Sequence, residues 1–149
     1  LAFTSVPGWQ KMDLKLVKYE AELHSAMVTP WYEHKGDAPV VAWLPVGSTY
    51  LVAHGDEFLA CGSLLLTNSA ICFMEHLVTN PKARQMSQGK ALRFIAISLE
   101  QIAKNLNYAV ILGLVPEDHF SLAEFYLRQG ASLGQKLMRV TYKQLQGGA

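Results

Sequence analysis

The chain has 149 residues, 50% hydrophobic and 17% charged, with 13 Lys plus Arg against 12 Asp plus Glu and a formal net charge of +1. One domain's length with this composition excludes a disordered chain, and a charge so near balance carries no basic field for nucleic acid. No apolar run approaches the roughly 20 residues of a membrane span, and no charged–apolar–small pattern opens the chain. The expectation is one domain over residues 1–149, with no nucleic-acid or membrane partner. The two cysteines and five histidines fall in no CxxC, HxH or HExxH spacing, so no metal site is expected. Two thiols outside a secreted framework read as reduced and cytoplasmic.

In chain order, residues 12–18 alternate apolar and charged side chains and predict a strand. A short helix over 20–28 follows, ended by Pro30. Residues 29–48 read as irregular, punctuated by Pro30, Gly36, Pro39, Pro45 and Gly47. They hold Trp31, Tyr32, Glu33, His34 and Trp43. A loop of that kind is either a wall of a substrate site or a segment pinned to the body by its tryptophans. Three strands come next, over 49–54, 58–67 and 70–78, joined by turns at Gly55-Asp56 and Asn68-Ser69. A two-residue turn at Asn68-Ser69 sets Cys72 opposite Leu65, Cys61 opposite His76 and Glu75 opposite Gly62. The cysteines are then not partners, which excludes a disulfide between them.

Leu92, Ile95, Leu99, Ile102 and Leu106 recur at helical spacing and predict a helix over 88–106. Glu100 and Lys104 pair on its outer side, and Asn107 is its left-handed cap. Residues 108–115 are almost purely apolar, as in a strand covered on both faces. A helix over 119–129 stops at Gly130, and a last strand covers 136–145. The helical crossover makes 70–78 and 108–115 parallel neighbours. The fold class is α+β (or α/β), with a mixed, mainly antiparallel twisted sheet and helices on both faces.

Chemistry concentrates where the strand 70–78 passes through a short polar loop into the long helix. The first turn of a helix presents free backbone N–H groups and a positive dipole end. Gly89 admits close approach of a ligand, and Lys82, Arg84 and Lys90 add positive charge. Such a site suits a pyrophosphate, while an ordinary strand–helix loop with solvated Lys and Arg is the plainer alternative. The phosphate-loop fingerprints GxGxxG and GxxxxGK[ST] are absent.

Val78-Thr79-Asn80-Pro81 and the order of elements resemble the GNAT N-acetyltransferase superfamily. The family's acetyl-CoA pyrophosphate loop reads Q/R-x-x-G-x-G/A. Arg84-Gln85-Met86-Ser87-Gln88-Gly89 has that spacing, with Ser87 in place of the first Gly. A second register, through Met86, Gly89 and Ala91, keeps both small positions and loses the Q/R. The family's N-x-x-A-x-x-x-Y-x-x-x-G is matched at Tyr126 and Gly130, with His119 for Asn and Leu122 for Ala. Tyr142-Lys143-Gln144-Leu145 is similar to the family's last strand. The resemblance spans residues 12–145.

The resemblance implies direct acyl transfer from acetyl-CoA, as co-substrate and without a metal, to an amine on a small molecule or a protein. The CoA-binding half would be about 70–130 and the substrate-side loop about 29–48. Backbone near Leu77, Val78 and Thr79 would polarise the thioester carbonyl. Residues 84–91 (Arg84 through Lys90 and Ala91) and His119 would hold CoA. Tyr126 takes the place of the acid that protonates the thiolate, or else packs on the sheet. Glu75, set mid-strand on one face with Phe73 and Leu77, is a general base with a raised pKa or a structural carboxylate. His76 reads as a core histidine, and His34 is a reserve candidate. Small family members often form homodimers. A second class stays open: a non-catalytic acyl-CoA-binding or interaction module of the same fold.

Overall fold

The computed structural model describes residues 12–36, 40–113, 124–125 and 127–128. In chain order these residues form β1 (Leu14–Lys18), α1 (Ala21–Lys35), β2 (Thr49–His54), β3 (Glu57–Leu65), β4 (Ile71–Thr79), α2 (Gln85–Asn105) and β5 (Val110–Gly113). The sheet order is β1-β2-β3-β4-β5, and β1/β2, β2/β3 and β3/β4 are antiparallel. The N–H groups of Ala109 and Val110 donate to the Ala70 carbonyl at 2.9 and 3.2 Å, so β5 starts beside the start of β4. The sheet is therefore mixed, and the expected α+β class is the observed one. The chain divides into two compact units, 1–112 and 113–149. In the second, Glu124, Phe125, Leu127 and Arg128 are helical, and Arg128 Nη2 lies 3.8 Å from Glu124 Oε2. The predicted strand over 136–145, and the rest of the predicted helix over 119–129, lie outside the described residues.

The helices pack on opposite faces. Val28, Trp31 and Tyr32 of α1 share a buried cluster with Leu51, Cys61 and Val78. A Cβ built on Gly62, the next residue of β3, would meet Leu77, Ile95 and Leu99 instead. Successive strand residues point to opposite faces, so α1 covers the Cys61 face and α2 the Gly62 face. Helix α2 buries Ile95, Leu99 and Ile102 as its spacing requires, while Leu106 is exposed and serves as its C-cap. Its end is a Schellman motif: Asn107, at φ 66°, donates to the Lys104 carbonyl and Tyr108 to the Ala103 carbonyl. No described helix is long and apolar enough to cross a membrane.

Four expectations are corrected. Helix α1 does not stop before Pro30 but runs through it to Gly36, which caps it at φ 86°. Proline deletes one intrahelical hydrogen bond; burial of Trp31 and Tyr32 immediately after it holds the helix to the sheet. Residues 29–35 are thus helical rather than irregular, and Val40–Trp43 form a 3-10 turn. The connection from β3 to β4 takes residues 66–70, not two residues. Hydroxyls of Thr67 and Ser69 build it, bonded to each other at 2.9 Å, with the Ser69 hydroxyl accepting the Ile71 N–H at 3.1 Å. The register therefore slips by one at Leu65–Phe73 and Ser63–Glu75, and by two beyond the irregularity, where Cys61 faces Val78. Both cysteines are buried and free, as expected. Finally, β5 is not covered on both faces over residues 110–113, since Val110 and Leu112 are 44% and 41% exposed.

Candidate active site

Between the pairs Ser63–Glu75 and Cys61–Val78 the register shifts. One residue of β3, Gly62, lies opposite two of β4, His76 and Leu77. This is a β-bulge, and His76 takes its left-handed position at φ 59°. A non-glycine residue in that conformation costs about 1–3 kcal/mol and such strain gathers at functional sites. The register slip and the bulge together change the surroundings of the candidate base. Glu75 shares the α1 face with Phe73, but Leu77 lies on the α2 face. The space beside Glu75 is not that of Gly62 either. Its cross-strand partner is Ser63, fully buried and hydrogen-bonded to the Thr49 hydroxyl at 2.8 Å. Glu75 and His76 are half-buried.

Beyond the bulge, the turn into α2 is braced on both sides. The Asn80 N–H donates to the Leu59 carbonyl at 2.8 Å and its Nδ2 to the Phe58 carbonyl at 3.0 Å. Its Oδ1 accepts the Lys82 N–H at 3.0 Å. Gln88, in the first turns of α2, reaches back with Nε2 to the Ala83 carbonyl at 2.8 Å, and its Oε1 accepts the Thr79 hydroxyl at 2.9 Å. Thr79 and Gln88, both candidate CoA contacts, are thus bonded to each other.

Helix α2 begins at Gln85 rather than 88, with Arg84 as N-cap and no side chain capping it. The first intrahelical bond is Gln88 N–H to the Arg84 carbonyl, 2.9 Å. The helix therefore supplies no acceptor for the N–H groups of Gln85, Met86 and Ser87. No acidic residue sits in this first turn, and Lys82 and Arg84 are exposed beside it. Three amides, the positive end of the dipole and two cations make an anion cradle. Gly89 is exposed, and a Cβ there would meet nothing within 4 Å. Met86 is 69% exposed, whereas Ala91 is 0% exposed, turned into the core.

The structure thus brings together Leu77, Val78 and Thr79 at the end of β4 with the 84–89 segment. His34 is exposed on the last turn of α1. His119 and Tyr126 lie outside the described residues. The bonds made to the sheet and the turn by three residues escaped the sequence: those of Asn80, Tyr32 and Lys35. Asn80-Pro81 is a turn signal that points to the first. Tyr32 and Lys35 were masked by the irregular reading of their segment. Cys61 is no nucleophile at neutral pH: burial pushes its thiol from the ordinary 9.0 up to about 12, against smaller opposing hydrogen bonds from Tyr32 and the Gly62 backbone. Among the described residues, no three His, Cys, Asp or Glu gather as metal ligands.

No protein-family model and no curated protein sequence matches the chain. Solved structures do match in fold. A transcriptional regulator from Bacillus halodurans C-125 superposes with a TM-score of 0.66 at 12% identity, over 87% of this chain and 99% of that one. An acetyltransferase from Trypanosoma brucei gives 0.65 at 19% identity, over 87% and 100%. An aminoglycoside N-acetyltransferase in complex with CoA gives 0.64 at 12% identity, over 95% and 99%. With the mixed sheet and the bulged strand leading into α2, these likenesses give the chain the fold of the GNAT acetyltransferases.

Proposed function

We propose that the protein is an acetyl-CoA-dependent N-acetyltransferase that passes the acetyl group to a primary amine by direct attack. The observation that carries this reading is the row of Gln85, Met86 and Ser87 amides opening α2 immediately after the bulged strand. The free amides and the two cations support a pyrophosphate, the anion of CoA, as the group held there. The placement of α2 favours the register through Arg84, Ser87 and Gly89, because Ala91 is buried. The backbone at Leu77–Thr79 polarises the thioester carbonyl, as an oxyanion donor does. Tyr126 protonates the departing thiolate, with His119 beside the cofactor. Glu75 takes the proton of the attacking amine, directly or through water. The CoA-bound aminoglycoside N-acetyltransferase supports an amine as acceptor. The free, buried thiols support a reducing, cytoplasmic setting.

The second reading is a binding module that senses acyl-CoA without turnover. Ser87, His119 and Leu122, where the family has other residues, favour it, as does the likeness to a transcriptional regulator. The two separate in one experiment. CoA at a hundredfold excess over its Kd stabilises a binding protein by about 2.7 kcal/mol. Gly89→Asp places bulk and negative charge in open space beside the amides, so the variant should fold and lose the shift. Thiol release from acetyl-CoA with a panel of amines then tests turnover. Tyr126→Phe should lower kcat by about 10²–10⁴-fold with CoA affinity nearly intact. A full shift in Gly89→Asp overturns the site. Binding without turnover on any amine selects the module.

A further inference from the structure

At the bulge, α1 meets two successive carbonyl groups of β4. The Tyr32 hydroxyl donates to the His76 carbonyl at 2.6 Å, and Lys35 Nζ donates to the Leu77 carbonyl at 2.9 Å. The two residues are three apart on α1, hence on one side of it. Tyr32 is 1% exposed and wedged among Val28, Trp31, Cys61 and Val78. Its hydroxyl is therefore held by packing rather than by solvent. Lys35 lies on the last turn, directly before the Gly36 cap.

A peptide unit is planar, with C=O and N–H on opposite sides. The His76 carbonyl shares its plane with the Leu77 N–H, and the Leu77 carbonyl shares its plane with the Val78 N–H. Gripping the oxygens fixes the direction of the two amides. A cation on the Leu77 carbonyl also polarises that peptide and strengthens its N–H as a donor. Left-handed His76 does not set these planes unaided, since the conformation is a costly one for a non-glycine residue.

We propose that Tyr32 and Lys35 are positioning residues, which fix from α1 the peptide planes carrying the Leu77 and Val78 amides and so set the strength of thioester polarisation. The catalytic half of this inference rests on the acetyltransferase reading; the structural half does not. Lys35→Met keeps the length of the side chain and removes the donor from an exposed residue, so it should fold. Tyr32→Phe removes only the hydroxyl. Each should lower kcat by about 10–100-fold, the range set by displaced or missing oxyanion donors, with KM for acetyl-CoA within about twofold. Lys35→Arg should restore most of the rate. Independently of turnover, the ¹⁵N–¹H resonances of Leu77 and Val78 should shift in Lys35→Met without any CoA present. Unchanged kcat, or a rise in KM that accounts for the whole loss, overturns the catalytic half. Unmoved Leu77 and Val78 resonances overturn the positioning itself. Absence of turnover in the wild type strikes the acetyltransferase reading alone, and the resonances still decide this one.

Discussion

The two helices cover one sheet by different means. Helix α2 carries its instructions in its own sequence: an apolar stripe through Ile95, Leu99 and Ile102, a Glu100–Lys104 pair at 3.5 Å, and Asn107 to end it. Helix α1 has a proline at its tenth position, no side-chain cap and a weak apolar stripe. It forms because Val28, Trp31 and Tyr32 are buried on the sheet and because Tyr32 and Lys35 bond the carbonyls of a neighbouring strand. Their offers to a ligand differ in the same way. Helix α2 presents backbone N–H groups, which any sequence of the right length would present. Helix α1 presents particular side chains, two of which are bonded to the sheet beneath it.

The contrast is broken most strongly at Trp31. Trp31→Ala should cost about 3–5 kcal/mol, and hydrogen exchange should show α1 opening ahead of α2. Equal loss of protection in both helices would mean that the sheet, not the contacts of α1, limits its stability. Pro30→Ala sharpens the contrast from the other side. It restores a donor to the middle of α1, and a gain of about 1–3 kcal/mol in urea denaturation is expected. No gain would show that the surrounding helix has already adapted to the proline.

The smallest expected effect lies under α1 and depends on pH. The Cys61 thiol has a raised folded pKa of about 12. Its contribution is fully present below 9 and is lost as pH rises toward 12, because the unfolded thiol ionises first. Stability should fall by up to about 1.4 kcal/mol per pH unit in that window. Tyr19 and Cys72, raised by burial, add to the same alkaline limb. Urea melts at several pH values above 9 should give Cys61→Ala a shallower slope than the wild type. An identical slope would assign the limb elsewhere.

The sequence made the strands β2, β3 and β4 legible because β-branched and apolar runs alternate with turn residues there. It made α2 legible because the 3.6 period survives over five turns. Helix α1 was not legible, since its stability is tertiary and its proline argues the other way. The register of the β3–β4 hairpin was missed because side-chain hydroxyls of Thr67 and Ser69, not a two-residue backbone turn, close it. That slip, with the bulge, moved Leu77 to the face opposite Glu75. Of the candidate site, the stretch around Gly89 was singled out from its spacing, whereas the brace through Asn80 and Gln88 was not legible.

By itself, then, the sequence determined local matters: which runs become strands, that a long helix follows β4, and where that helix ends. Each depends on residues a few positions apart, and chain geometry connects them directly. Only the tertiary structure decided which side chain of α1 meets which carbonyl of β4. Tyr32 and His76 are 44 residues apart, as Lys35 and Leu77 are 42. A bulge of one residue reassigns every side chain beyond it to the other face, and no local propensity records it.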